Sequence, residues 1–533
     1  MLRNDRIVNL SSSPEQSWDV VVVGGGMGGA TIASELAKKG NRVLLLEKGL
    51  ASFDSATGEG VEVEQPDPER RLKNGRWPTR LTAIVDGNRS DIWAPLGCGL
   101  GGSTLLYAAA LQRLLPIDFD EQQLPNGDTV AWPFDYAEIE PYYQQAEQLF
   151  SVCGTNDPLE SGAEYFLAPP PAMCDSDQHY FDVFKSAGLN PYRLHVGIQY
   201  KSGCGECGGY ICKSDCKRDA FNSCILPGLE SGNLYIAERA DVERIEANDT
   251  SVTAVKVKQN EKTFSVAGKV VVLSAGAFFT PVILQNSYSE NWPHGLANGS
   301  GLVGKNLMFH AGDFLAFWPK LKRSRKGPNK TIALRDFYTV DGNKMGEFQS
   351  TGLKAGYGVV LYALRLLFDQ SPFKRLKPLR YLLNFPALFA SKIYGDATVF
   401  ATIVEDFPYP ENCIVADSSA SSGMHFEYHI KDELTSRLAY MRKHIRKQLS
   451  VLRSIPMNFG ANLNFGHPCG TCKAGNDVAT SVLDKNCKAH ELENLYVVDS
   501  SFMPTSGGTN PSLTIAANAL RVANVIDRSL KQS

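Results

Sequence analysis

The stretch "WDVVVVGGGMGGATIASELAKKGNRVLLLEKG", Trp18 to Gly49, decides the fold. Asp19 to Val23 is a short, mostly apolar run of strand length, suited to a parallel strand buried on both faces. Gly24-x-Gly26-x-x-Gly29 then turns directly into an amphipathic helix that carries Ile32, Ala33 and Leu36 on one side. Gly40 ends that helix, "RVLLLE" forms a second strand, and Glu47 closes it. A GxGxxG alone is weak, but here strand, glycines, helix, second strand and terminal acid agree on a dinucleotide-binding βαβ unit. Gly24 permits the tight turn, Gly26 lets backbone approach a pyrophosphate, and Gly29 lets helix pack on strand. The helix start, with Met27 and Gly28, offers free N–H groups and partial positive charge to phosphates. Glu47 is placed to accept from ribose hydroxyls.

At 533 residues the chain is long enough for two interleaved domains. A formal charge of −3 argues against nucleic acid as a partner. The first twenty residues carry no apolar stretch of signal-peptide length, and "VVVVGGG" is too short to span a bilayer, so the expected location is the cytoplasm. "KVVVLSAGAFFTPVILQNS", Lys269 to Ser287, repeats the strand–turn–helix pattern far from the first unit, which makes the nucleotide domain discontinuous. "WPFDYAEIEPYYQQAEQLF", Trp132 to Phe150, reads as a helix entered through Pro141. Val359 to Gly395 is apolar, locally basic and broken by Pro372, Pro378 and Pro386. Its bland reading is a set of covering helices. The sharper one is a surface, centred on 359–390, that meets a membrane peripherally or an electron-acceptor subunit, edged by Lys374, Arg375, Lys377 and Arg380.

Two further stretches complete a pattern. These are "LGCGLGGSTLLYAAALQR", Leu96 to Arg113, and "GHPCGTC…LYVVDSSFMPTSGGTNPSLTIAANALRVA" near the carboxy-terminus. With the βαβ unit and "SAGAFFTPVILQNS" they resemble, in order, the signatures of the glucose–methanol–choline (GMC) flavin oxidoreductases. "FDYAEIEPYYQQAE" and "EDFPYPENCIV" are most similar to the sugar and sugar-acid dehydrogenase branch.

The resemblance implies an α/β fold: a discontinuous Rossmann-like FAD-binding domain plus an α+β substrate domain with an antiparallel or mixed sheet. The expected segments are 15–112, 201–312 (with the Cys-rich stretch) and 458–533 for FAD, and 113–200 and 313–457 for substrate. It implies FAD contacts from Gly24, Gly26, Met27, Gly28, Gly29 and Glu47, from Gly101, Gly102, Ser103 and Tyr107, and from Val242, Ala275 and Gly276. Asp499, Ser500, Asn510, Pro511 and Ser512 complete that set. Many members carry asparagine where this chain has Tyr107.

His467 matches the histidine that acts on the substrate hydroxyl in this family, and Asn510 its partner. The implied reaction oxidises CH–OH of an alcohol, polyol or sugar-like substrate to a carbonyl, with hydride passing to flavin N5 and His467 as general base. Asn510 is suited to donate to the developing alkoxide and to accept from the alcohol. A dehydrogenase handing electrons to an acceptor is expected ahead of an oxidase reoxidised by dioxygen, with a non-redox lyase or decarboxylase of the same fold as the alternative.

Of twelve cysteines, five lie in "GCGECGGYICKSDCKRDAFNSC", spaced C-x₂-C-x₄-C-x₃-C before Cys224. The part Cys207, Cys212, Cys216 resembles the iron–sulfur spacing of the dehydrogenase branch, without that branch's adjacent cysteine pair or Cys-Pro. Three readings stay open: an iron–sulfur cluster, structural zinc or disulfides, and unligated thiols. Cys469 and Cys472 are expected to pack.

Overall fold

The structure, a computed structural model, describes residues 6–12, 17–53, 65–160, 162–319, 321, 323–352, 357, 360–361, 364–365, 368, 371–395, 397–457 and 460–532. Parts of the amino-terminal stretch read for a leader, and of the 359–390 surface, lie outside them.

The valine run forms β1 (Trp18–Val23), followed by α1 (Met27–Lys38) and β2 (Val43–Leu46). Three distant segments join them: β3 (Leu234–Ala237), β4 (Gly268–Leu273) and β5 (Leu495–Val497). The sheet order is β5-β4-β1-β2-β3, and every neighbouring pair is parallel. Val20 to Val23 and Val43 to Leu46 are buried, each worth about 1.5–3 kcal/mol of burial. From β1 the chain runs outward through β2 and β3 on one side, then crosses back to β4 and β5 on the other. The crevice beyond the carboxyl ends of these strands is therefore the switch point where such sheets bind ligands.

The carboxy-terminal helix Ser512–Gln532 packs on α1 and on the helix Tyr136–Leu149, where Tyr143 Oη and Thr514 Oγ1 lie 2.8 Å apart. That second helix starts five residues before Pro141: the Asp135 carboxylate caps it by accepting from the Glu138 N–H, and Pro141 sits inside.

A second layer is antiparallel, with strands in the order Arg453–Pro456, Phe314–Trp318, Thr398–Val404, Gly346–Ser350, Ile332–Leu334 and Tyr192–Arg193. One face packs Phe317, Phe348 and Phe400 beneath the helix Asp432–Gln448. That helix buries Leu434, Leu438, Met441 and Ile445, a 3.6-residue stripe. Strand alternation sends Gln349, Thr351, Ala401 and Ile403 to the opposite face, where they line the cavity described next. The short strands Ala311–Gly312 and Asn462–Leu463 pair with each other at the edge of this sheet. In the 359–395 region the described residues form the helices Lys377–Leu382 and Asn384–Tyr394.

Candidate active site

A cavity of about 1370 Å³ runs from the β1–α1 turn to the antiparallel sheet. Pockets for drug-sized ligands hold ~300–1,000 Å³, so a long ligand and a second small one fit together. Gly24 adopts φ +95°, and a Cβ there would lie 2.4 Å from Ser274 O. At Gly29 a Cβ would lie 1.9 Å from Gly24 O, so only glycine lets the helix seat on the turn. The first turn of α1 has no side-chain cap and no acid, and its first intrahelical bond is Ala30 N–H to Gly26 O. Uncapped N–H groups at the cavity wall suit an anion.

Glu47 binds differently from its sequence reading. Its buried carboxylate accepts from Gly25 N–H (2.8 Å), Gly49 N–H (2.8 Å) and Gly99 N–H (3.0 Å). It thus joins both glycine-rich loops, which also meet through Gly101 N–H to Gly25 O at 2.8 Å. Burial pushes the carboxyl up, against the pull of the three N–H bonds. The carboxylate still lines the cavity, with lone pairs to spare for hydroxyls.

Of the other residues expected at the cofactor, Gly24, Gly26, Met27, Gly28, Gly102, Ser103, Tyr107, Val242, Ala275, Gly276, Asp499, Ser500, Asn510, Pro511 and Ser512 line this cavity. Gly29 and Gly101 sit behind the wall and shape it. Asp499 is buried and fixes the β4 turn, accepting from Gly276 N–H (2.9 Å) and Thr280 Oγ1 (2.5 Å). The Tyr107 hydroxyl donates to Arg218 O, which commits its polar end to the wall.

His467 and His310 face each other across paired chain segments. Met308 and Cys469 exchange backbone bonds of 3.0 Å each way, and Asn464 N–H donates to His310 O at 2.8 Å. The buried Cys469 therefore packs in the ladder that sets the two imidazoles, and Cys472 is buried behind it. The His310 and His467 Nδ1 atoms are 3.0 Å apart. His310 Nε2 lies 3.1 Å from Ser506 O and 2.9 Å from Gly507 O.

Carbonyls only accept, so His310 Nε2 carries hydrogen. Burial holds the His310 pKa down to about 4, and the ring is neutral at neutral pH, with a bare Nδ1. That Nδ1 accepts from His467 Nδ1–H, which leaves His467 Nε2 without a proton. Burial first, with smaller contributions from the neighbouring His310 and Lys330, holds the His467 pKa well below the ordinary imidazole range.

Asn510 corrects one expectation. Its Nδ2 donates to Gln112 Oε1 (3.0 Å) and Gln349 Oε1 (3.3 Å), so the group left for a ligand is the acceptor Oδ1. Gln112 is oriented in turn by donating to Glu347, itself held by Arg335 (3.4 Å) and Thr509 (3.0 Å).

His310 and Lys330 carried no motif in the sequence. Lys330 is buried in the cavity wall, donates to Ala108 O at 2.6 Å, and is brought down to about 7 by burial. Hydrophobic periodicity around Lys330 could not have singled it out.

The iron–sulfur reading of Cys207, Cys212 and Cys216 is not supported. Among the described residues no three His, Cys, Asp or Glu side chains converge as metal ligands. These cysteines are free thiols, with a hydrogen bond between the Cys207 and Cys212 side chains and another between Cys216 and Cys204. Cys216 is buried beside Leu194, Val196 and Ile198.

Residues 18–312 and 444–519 match the two family models described as GMC oxidoreductase. Paromamine 6'-oxidase of Streptomyces fradiae is 27% identical over 96% of this chain and 92% of its own. The fructose dehydrogenase large subunit of Gluconobacter japonicus is 24% identical over 98% of this chain and 100% of its own. A solved structure of Aspergillus oryzae formate oxidase, determined in work on FAD modification, superposes with a TM-score of 0.68. It covers 98% of this chain and 100% of its own, at 16% identity, a likeness of fold alone.

Proposed function

Starting from a chain that belongs to the GMC oxidoreductase family, we propose an FAD-dependent enzyme that oxidises CH–OH of an alcohol, polyol or sugar-like substrate to a carbonyl. The bare Nε2 that His310 enforces on His467, in the wall of the cavity, carries this reading.

The residues present fit FAD. The uncapped start of α1 suits a pyrophosphate, Glu47 suits ribose hydroxyls, and the remaining length of the cavity leaves room for a flavin beside His467. Bound flavin supplies a hydride acceptor, which no side chain can.

The chain's own residues do the rest. His467 Nε2 takes the hydroxyl proton, and its lowered pKa keeps it unprotonated through neutral pH. Asn510 Oδ1 is left to accept from a second hydroxyl of a polyhydroxylated substrate and so orient the reacting one. Lys330, in the same wall and brought down to about 7 by burial, favours negative charge developing on the substrate oxygen when it is protonated. The relatives include, by name, a paromamine 6'-oxidase and a fructose dehydrogenase large subunit, which supports a sugar-like substrate.

Anaerobic mixing of the flavin-loaded protein with a panel of alcohols and sugars tests this. A matching substrate bleaches the flavin, and His467→Ala slows bleaching by ~10²–10⁴-fold while the flavin stays bound. Undiminished bleaching in that variant removes His467 from the chemistry. Following oxygen uptake against dye reduction then separates oxidase from dehydrogenase.

A further inference from the structure

The helix Asn384–Tyr394 and the preceding Lys377–Leu382 turn their apolar side the wrong way for a water-facing element. The inner side is small and already satisfied: Ala387 is fully buried among Val360, Leu361, Leu383 and Ala390. The outer side presents Tyr381, Leu382, Phe385, Leu388, Phe389 and Ile393, with Phe385 71% and Phe389 75% exposed. Within Asn384–Tyr394, positions 385, 388, 389 and 393 recur at helical spacing, so Phe385, Leu388, Phe389 and Ile393 share one face. A contiguous exposed apolar face of this kind marks an interaction surface.

The charge around it has one sign. Arg375, Lys377, Arg380 and Lys392 lie in or beside these helices, and no acid occurs from Ser371 to Gly395, in a chain whose net charge is −3. Arg375, Lys377 and Lys392 are exposed. Pro378 and Pro386 divide the segment into short helices, and among the described residues no helix is long and apolar enough to cross a membrane. The segment is tied to the cavity: Tyr357, which lines it, donates its hydroxyl to Asn384 Oδ1 at 3.1 Å.

We propose that this face docks onto an anionic lipid surface. Phe, Tyr and Leu side chains enter the boundary between headgroups and acyl chains, and the basic rim lies against the phosphates. A bilayer satisfies both features at once, through depth for the aromatic stripe and a continuous negative plane for the rim. Docking in this pose sets the Tyr357 end of the cavity toward the membrane.

Flotation of the purified, flavin-loaded protein with vesicles tests the surface. The wild-type chain should float with phosphatidylcholine–phosphatidylserine vesicles, bind pure phosphatidylcholine poorly, and be released by high salt. The double variant Phe385→Ser/Phe389→Ser should bind at least about tenfold more weakly. Lys377→Glu/Arg380→Glu should lose roughly 30-fold and the preference for phosphatidylserine. Unchanged flavin absorbance and unchanged turnover of a water-soluble alcohol in both variants would show that they fold.

Failure of the wild-type chain to float with the anionic vesicles overturns the proposal, as does equal binding by Phe385→Ser/Phe389→Ser. A concentration-dependent dimer that disappears in the same variant, without vesicle binding, would assign the face to a second copy instead.

Discussion

Removing the His310 ring while leaving His467 in place isolates the tautomer argument. In His310→Leu, His467 Nδ1–H loses its 3.0 Å acceptor, and nothing then forces the proton onto that nitrogen. A neutral hydrogen bond contributes about 0.5–1.5 kcal/mol net, which corresponds to a roughly 2- to 13-fold change in the productive tautomer. The fall in kcat should lie in that range, well short of the ~10²–10⁴-fold ceiling set by deleting the base itself. KM should hardly move, because Asn510 and the cavity wall are untouched.

His310→Asn provides the rescue. Its Oδ1 can stand where Nδ1 stood and accept the same proton, so kcat should recover to within about threefold of wild type. Rapid-reaction reduction of the flavin, followed across pH, is the assay. The acid limb should stay well below the ordinary imidazole value in His310→Leu, since burial, the largest cause of the shift, is retained. His310→Leu with wild-type kcat would refute the reasoning. So would a double variant with His467→Ala whose losses simply multiply, since two residues acting as one unit do not add.

Glu47→Ala should be costly out of proportion to its size, because three backbone N–H groups lose their acceptor at about 1–3 kcal/mol each. Thermal melting and flavin content per chain, read by absorbance, should both fall. Stability should also weaken on the acid side. His195 and His310 are held down by burial to about 3 and about 4, below the unfolded value near 6.5, so the unfolded chain binds more protons as pH drops through 6.5. At pH 5 each should have lost about 2 kcal/mol of stability. Urea midpoints measured between pH 7 and pH 5 check the slope, and a flat profile would mean that the rings are protonated in the fold.

The parallel layer was legible because its determinants are local. Four valines, three spaced glycines and a terminal acid lie within one short stretch, and β1, α1 and β2 fall where that pattern puts them. Lys269 to Ser287 behaved in the same way, giving β4 and the helix Thr280–Asn286. The helix around Pro141 was misjudged at its start because proline usually marks a first turn, whereas here Asp135 supplies the cap.

The site was legible only where it rode on a motif. His467 and Asn510 did, although the two glutamines that bind the Asn510 amide, and so reverse its expected donor role, come from remote segments, Gln112 from an irregular stretch and Gln349 from the strand Gly346–Ser350. His310 lies in "LMFHAGD", far along the chain from its partner, and only backbone pairing brings the rings together. The cysteine spacing left three readings open because C-x₄-C-x₃-C fixes only how far thiols can reach; in the fold they are free thiols hydrogen-bonded to one another.

The pairing of Ala311 with Leu463 and of Gly312 with Asn462 has an engineering consequence. Everything between those residues enters and leaves through one stapled doorway, whose jambs also carry the two imidazoles. The strands Phe314–Trp318, Ile332–Leu334, Gly346–Ser350, Thr398–Val404 and Arg453–Pro456 can therefore be treated as an exchangeable cassette: their inward side chains, Gln349 excepted, can be rewritten to admit differently shaped alcohols while the proton-handling pair stays fixed in the frame.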